Sequence, residues 1–271
     1  MNGRPKISAI VQTYNASEHL GRCLKALAPF DEILVVDMES TDDTAAIARS
    51  FGARVVVKER GEHRIVEAYR DFAIHEALHD WVLVVDADEI VPRALRDYLY
   101  ERLAEPEPPA GIRIPRRNYF LGRFMHGTYP DHILRFLRRE GCRWAPHAHA
   151  IPQVEGRVES IPASRHDLAF IHVPRENMSV LLAKADAYTE SERIRRQERG
   201  EKATLGKLMV KPAFVFFKLY ILKGGFRDGT AGFIRAAYNS FYKFVSLSKM
   251  YEDRIGLADG RHPDIDSLAK E

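Results

Sequence analysis

The first part of the chain alternates short apolar runs with amphipathic ones. ISAIVQ (7–12), EILVVD (32–37), RVVVK (54–58) and WVLVVD (81–86) have the length and β-branched density of buried strands. Between them, apolar residues recur at helical spacing from about Ser17 to Ala28, Thr41 to Phe51 and Arg64 to Leu78. This βαβαβαβ order predicts a parallel sheet with right-handed crossovers and helices on both faces. EPEPPAG (105–111) interrupts the series, and GIRIPRRNYF and HILRFLRR beyond it read as further strands. From about residue 174 the pattern is helical to the end, which divides the chain into an α/β part, 1–173, and a helical part, 174–271.

The fourth strand ends unusually. WVLVVDADEI (81–90) closes an apolar run with Asp86, Asp88 and Glu89, carboxylates that cost several kcal/mol each to bury unpaired. A cation is expected to meet them, and at the carboxyl end of such a strand a divalent metal carrying a phosphorylated substrate is the leading candidate. The alternative is a turn and helix cap, with Asp88 or Glu89 capping a helix that opens at Pro92. If the extended conformation persists, alternation puts Asp86 and Asp88 on one side and Glu89 elsewhere. No GxGxxG or GxxxxGK[ST] follows a strand, so neither a dinucleotide fingerprint nor a P-loop is supported.

Composition narrows the classes. At 271 residues and 45% hydrophobic, the chain can bury one elaborated domain or a domain with an appendage. A net charge of +3 is too small to argue for nucleic acid. Cys23 and Cys142 form no CxxC, so neither a disulfide framework nor a zinc cluster is indicated and a reducing cytoplasm fits. The start, MNGRPKISAI, has no signal-peptide apolar region, and no stretch reaches the roughly 18 apolar residues of a membrane span.

ISAIVQTYNASEHLGRCLKAL, VVDMESTDDT, VVDADE, RIPRRNYFLGR…YPDHILRFLRR and KGGFRDGTAGF, in this order, resemble bacterial glycosyltransferase family 2, in particular its branch of lipopolysaccharide-core and related surface-glycan glucosyltransferases. The resemblance runs from Ile7 to about Tyr251. It implies a GT-A fold (a Rossmann-like, mostly parallel sheet with flanking helices), inverting transfer from a nucleotide sugar, and Mg2+ or Mn2+. Carried over residue by residue, it makes Asp88 the principal metal ligand and Asp86 a ribose or metal contact. Thr13, Tyr14 and Asn15 become the turn that holds base and ribose, Asp37 a contact to a uracil-like edge, and Arg64 and Arg70 contacts to the diphosphate. Plainer roles stand beside these: Asn15 as a turn residue, Asp37 as a helix-entry residue near Ser40 and Thr41, and the two arginines as a solvated helix face.

An inverting transfer also needs a base for the acceptor hydroxyl. Relatives in this branch carry a His-Glu pair where this chain reads HAHAIPQVEG (147–156), so His149 matches and Ala150 stands in place of the glutamate. Asp131, His147, His149 and Glu155 are the candidate substitutes. The histidines, two apart, are also compatible with metal or phosphate contacts, or with a plain strand surface. Arg116, Arg117 and Arg123, interleaved with Tyr119 and Phe120, look like acceptor and phosphate contacts.

Between Lys202 and Lys249 nine basic residues face a single acidic one, Asp228, and Phe214, Phe216, Phe217, Phe233 and Phe241 interleave with them. Such a segment suits an anionic leaflet, or else a packed helical pair with solvated lysines. The expected function is therefore an inverting, metal-dependent hexosyltransferase, moving glucose from UDP-glucose to a lipid-linked or lipopolysaccharide-core glycan on the inner face of the cytoplasmic membrane. The alternative is a catalytically silent relative that binds nucleotide sugar or membrane, motivated by Ala150. A phosphatase of the haloacid-dehalogenase type is disfavoured by position, because its DxD belongs on the first strand and this one is on the fourth.

Overall fold

The computed structural model describes residues 4–61, 69–146, 150–174 and 178–256. In chain order the strands and helices are β1 (Ile7–Thr13), α1 (Ser17–Leu27), β2 (Glu32–Asp37), α2 (Thr44–Ser50), β3 (Arg54–Val57), α3 (Arg70–Glu76), β4 (Trp81–Asp86), β5 (Glu89–Ile90), α4 (Arg93–Leu103), β6 (Gly111–Ile114), β7 (Arg116–Phe120), β8 (Arg123–Phe124), β9 (Ile133–Arg138), β10 (Val158–Ser160), β11 (Phe170–His172), α5 (Met178–Glu198), α6 (Leu205–Phe217) and α7 (Gly229–Ile255). They form two compact units. One holds the residues up to Asn118 together with Tyr129–Pro174; the other holds Tyr119–Thr128 and the helical region that follows Pro174. The hairpin 119–128 thus belongs with the helices, which the split at residue 174 did not anticipate.

The first unit is built on a seven-stranded sheet of order β10-β6-β9-β4-β1-β2-β3. Strands β1 to β4 are parallel, and β9 runs antiparallel between β4 and β6. β1 is buried along its whole length because both faces are covered. Ile7, Ala9 and Val11 pack with Leu20, Leu24 and Leu27 of α1 and with Leu95, Leu99 and Leu103 of α4, residues spaced three or four apart so that each helix buries one stripe. Ile10 faces the other side, with Val82 and Val84, Ala73 and Ile74 of α3, and Trp144. The chain leaves β1 towards β2 and β3 and returns to β4 on β1's opposite flank. The carboxyl ends of β1 and β4 therefore flank a topological switch point, where open α/β sheets bind ligands. The α/β class, the mostly parallel sheet with flanking helices and the helical C-terminal region are as expected from the sequence.

β4 stops at Asp86, a turn covers Ala87 and Asp88, and β5 begins at Glu89. The alternation that would put Asp86 and Asp88 on one strand face does not operate. Nor does Asp88 or Glu89 cap α4, whose N-cap is Pro92.

In the second unit, β7 and β8 close through Leu121 and Gly122, both at positive φ, as a two-residue hairpin requires. Asp228, just before α7, has a fully buried carboxylate that accepts from the backbone N–H of His126 (2.9 Å) and of Gly127 (3.2 Å). Gly232 lies against the Gly225 carbonyl so closely that a Cβ would overlap it, whereas a Cβ at Gly206 in α6 would meet nothing within 4 Å. Gly232→Ala is expected to lower unfolding stability by at least about 1–3 kcal/mol. Gly206→Ala is expected to raise it by about 0.5–1 kcal/mol. Urea unfolding followed by circular dichroism measures both, and equal midpoints for the two variants would contradict the packing.

Candidate active site

At the ends of β1 and β2 two loops are tied together by their own polar side chains. Asp37, 2% exposed, accepts from Thr13 Oγ1 (2.9 Å), the Ser40 backbone N–H (3.0 Å) and Ser40 Oγ (2.5 Å). Asn15, at φ 48°, accepts the Thr41 N–H through its side-chain oxygen (2.8 Å), and its own N–H donates to Ser40 Oγ (2.9 Å). Tyr14 stays partly exposed with the Arg60 guanidinium 3.7 Å above its ring. Thr13, Tyr14, Asn15 and Asp37 are thus brought together into one rigid turn. The Asp37 carboxylate organises that turn, while α2 itself begins only at Thr44, with Asp43 as its N-cap.

The end of β4 carries the dominant electrostatic feature. Asp86 Oδ1 accepts from Arg70 Nη2 and its Oδ2 from Arg135 Nη2, both at 2.9 Å, and the two arginine side chains are only 6% exposed. Burial alone would raise the Asp86 pKa, but the charges of Arg135, Arg70 and Arg116 overturn this and hold it well below the carboxylate range. Glu89 is completely buried; it accepts the Asp86 N–H (2.9 Å) and Arg116 Nη1 (3.2 Å). Burial and the Asp86 charge push Glu89 up. Far from pointing elsewhere, Glu89 belongs to the same charge cluster.

From Arg116 a polar chain crosses the site. Arg116 Nη2 (2.6 Å) and Nε (3.0 Å) and Asn118 Nδ2 (3.0 Å) all donate to Asp131 Oδ2, leaving Oδ1 without a donor among the described residues. Burial opposes ionisation of Asp131, yet the Arg116 charge and the Asn118 hydrogen bond lower its pKa overall. Asn118 Oδ1 lies 2.7 Å from His172 Nδ1, and His172 Nε2 lies 3.4 Å from Asp88 Oδ2. Burial would lower the His172 pKa; Asp88 and Glu89 raise it above the ordinary value. No group of three or more His, Cys, Asp or Glu side chains among the described residues is arranged to hold a metal, so Asp88 and His172 stand as a pair.

On the other side of Asp86 a cavity of about 350 Å³ opens, lined by Arg70, Arg113, Arg116, Arg135, Asp86, Asp131, Trp144 and Ala150 among others. Arg70 and Arg135 lie over the Trp144 ring, 4.8 and 5.6 Å from its centroid, and Trp144 Nε1 donates to the Ala150 carbonyl (3.1 Å). Ala150, which the resemblance sets against a glutamate, thus lines the same cavity as Asp131. Arg64, His147 and His149 lie outside the described residues. Sequence reasoning passed over His172, Asn118, Trp144 and Arg135; of these, Arg135 had a signal, since a cation between Leu134 and Phe136 in an apolar strand requires a buried partner.

The family described as "Glycosyl transferase family 2" matches residues 8–151. A lipopolysaccharide core biosynthesis glycosyltransferase, LpsC, of Rhizobium meliloti is 30% identical over 91% of this chain and 92% of its own. An uncharacterized glycosyltransferase of Rickettsia conorii is 26% identical over 92% and 91%. Glucosyl-3-phosphoglycerate synthase from Mycobacterium tuberculosis, solved with Mn2+, UDP and glucosyl-3-phosphoglycerate, is 24% identical over 42% of this chain and 45% of that one, with a TM-score of 0.36.

Replacing Asp86 with Asn leaves Arg70 and Arg135 facing a neutral amide and is expected to cost about 3 kcal/mol at neutral pH. Because the folded-state pKa is depressed, the Asp86 contribution is complete above the ordinary carboxylate value of about 4 and is lost only as pH falls through the lower folded-state value. The gap between wild type and Asp86→Asn in urea unfolding should accordingly hold from pH 7 to about 4 and narrow below it. A gap that closes already at pH 5 to 6 would remove the arginine clamp as its source.

Proposed function

Because this chain belongs to glycosyl transferase family 2, we propose that it is an inverting, metal-dependent hexosyltransferase that moves glucose from UDP-glucose to a lipid-linked or lipopolysaccharide-core glycan. The observation that carries this reading is the polar chain Asp131–Asn118–His172–Asp88 at the switch point of a GT-A-type sheet. It links the proposed base to the proposed metal pair.

Mg2+ or Mn2+ is the proposed occupant, with Asp88 and His172 supplying part of its shell. Asp88 offers a carboxylate oxygen, and an Nδ1–H of His172 donating to Asn118 would leave Nε2 free as a ligand on the Asp88 side. Such an ion, when bound, neutralises charge on the leaving diphosphate. Asp86, with both oxygens on arginines, serves better as a positioning group or ribose contact than as a metal ligand. Thr13, Tyr14, Asn15 and Asp37 form the proposed base and ribose turn. Asp131 keeps Oδ1 without a donor among the described residues and lines the cavity with Ala150, so it is the proposed base in place of the glutamate that Ala150 replaces, although its pairing with Arg116 lowers its pKa and makes it a weak one. Glucose and the glycan acceptor follow from the resemblance and from the relative named for lipopolysaccharide core biosynthesis.

Membrane association is proposed for the helical unit. Among the described residues no helix is long and apolar enough to cross a bilayer. On α6 and the turn after it, however, Leu205 (72% exposed), Met209 (68%) and Leu222 (62%) stand in solvent beside Lys207, Lys218 and Lys223. Lys211, Lys243 and Lys249 are paired with Glu201, Glu192 and Asp186, so the surplus of positive charge is smaller than the segment's own count implied.

Titration with UDP in the presence of Mn2+ is expected to give binding in the wild type and little metal-dependent binding in Asp88→Asn and His172→Gln, both folded. Unchanged affinity would move the metal elsewhere. UDP release from UDP-glucose with and without a glycan acceptor tests the reaction; intact UDP binding with neither hydrolysis nor transfer would favour the silent reading that Ala150 motivates. Flotation with phosphatidylglycerol vesicles should recover the wild type at low salt, less at high salt, and little of a Lys207, Lys218, Lys223 triple glutamate variant. Equal recovery on neutral vesicles would reject an electrostatic attachment.

A further inference from the structure

The cavity beside Asp86 is two negative charges short. Its lining includes Arg70, Arg113, Arg116 and Arg135 but, as carboxylates, Asp86 and Asp131. Arg70 and Arg135 each give Nη2 to Asp86, and Arg116 gives two N–H groups to Asp131. Arg113 is half-buried on β6, and its guanidinium meets no carboxylate and donates to no acceptor among the described residues. Arg135 Nη1 is buried without a hydrogen-bond partner. Leaving buried guanidinium donors unmade is costly, and an oxyanion is the chemical group that would satisfy them.

We propose that this cavity is the subsite for an anionic substituent, a phosphate monoester or a carboxylate, carried by the acceptor glycan close to the hydroxyl that receives the sugar. The inference rests on the glycosyltransferase reading and names the acceptor's charge class. One observation favours the acceptor over the donor diphosphate as the source of the anion. Asp131, the proposed base, lines the cavity; Asp88 and His172, the proposed metal pair, do not. At about 350 Å³ the cavity is large enough for a sugar-sized ligand.

The test follows arginine side-chain N–H resonances of the full chain while inorganic phosphate, and in a second series acetate, is added at constant ionic strength, each with and without saturating UDP and Mn2+. At least one anion is expected to bind, to remain bound with UDP–Mn2+ present, and to bind at least tenfold more weakly to Arg113→Gln, with Arg113→Lys recovering part of the loss. UDP affinity should be the same in wild type and Arg113→Gln. The tighter anion tells whether the acceptor group is a phosphate or a carboxylate. Displacement of the anion by UDP would hand the cavity to the donor diphosphate and overturn the proposal, as would equal binding to Arg113→Gln or no binding of either anion. If UDP itself fails to bind, the nucleotide-sugar reading falls, while the anion titration alone still decides whether the subsite exists.

Discussion

The α/β unit is organised around one carboxylate at the end of its fourth strand. Asp86 lies between two guanidiniums that are almost wholly removed from water, and each supplies what the other lacks. Arginines so deeply placed require a counter-charge, and a carboxylate at a strand end in an apolar sheet requires donors. Because Arg70 opens α3 and Arg135 sits within β9, the interaction fixes a helix and the antiparallel strand against the same point of β4. The rest of the site is arranged outward from there. Glu89 reaches back to the Asp86 N–H, Arg116 joins Glu89 to Asp131, and Asn118 joins Asp131 to His172.

Much of the fold was legible because its central strands are covered on both sides, which writes them as unbroken apolar runs. β1, β2 and β4 fall where ISAIVQ, EILVVD and WVLVVD stand. The candidate cluster was legible where an ionisable group closes such a run, hence Asp86. It was not legible where partners come from distant short elements. His172 belongs to a strand of three residues, too short to show a period, and nothing local ties it to Asp88. Extrapolating strand alternation past Asp86 failed for a related reason: a tight turn resets side-chain direction, and hydropathy does not register it.

Charge counting along a segment misled in another way. The stretch from Lys202 to Lys249 reads as strongly basic, yet Glu192, Asp186 and Glu201, all upstream, neutralise several of its lysines once the helices are side by side. A window in sequence has no knowledge of which charges meet across helices. Exposed Leu205, Met209 and Leu222 define the surface of α6 and its following turn better than the lysine count does.

Trp144 gives the arginine-lined cavity an optical consequence. The chain has two tryptophans, and Trp81 opens β4 stacked on Phe136, 5.5 Å between ring centroids, away from the carboxyl end of that strand. Trp144 instead lies beneath two guanidiniums whose positive field acts directly on the indole's excited-state dipole, and its N–H is held by the Ala150 carbonyl. An anion bound among those guanidiniums is expected to shift the emission of Trp144 and to leave that of Trp81 as an internal reference.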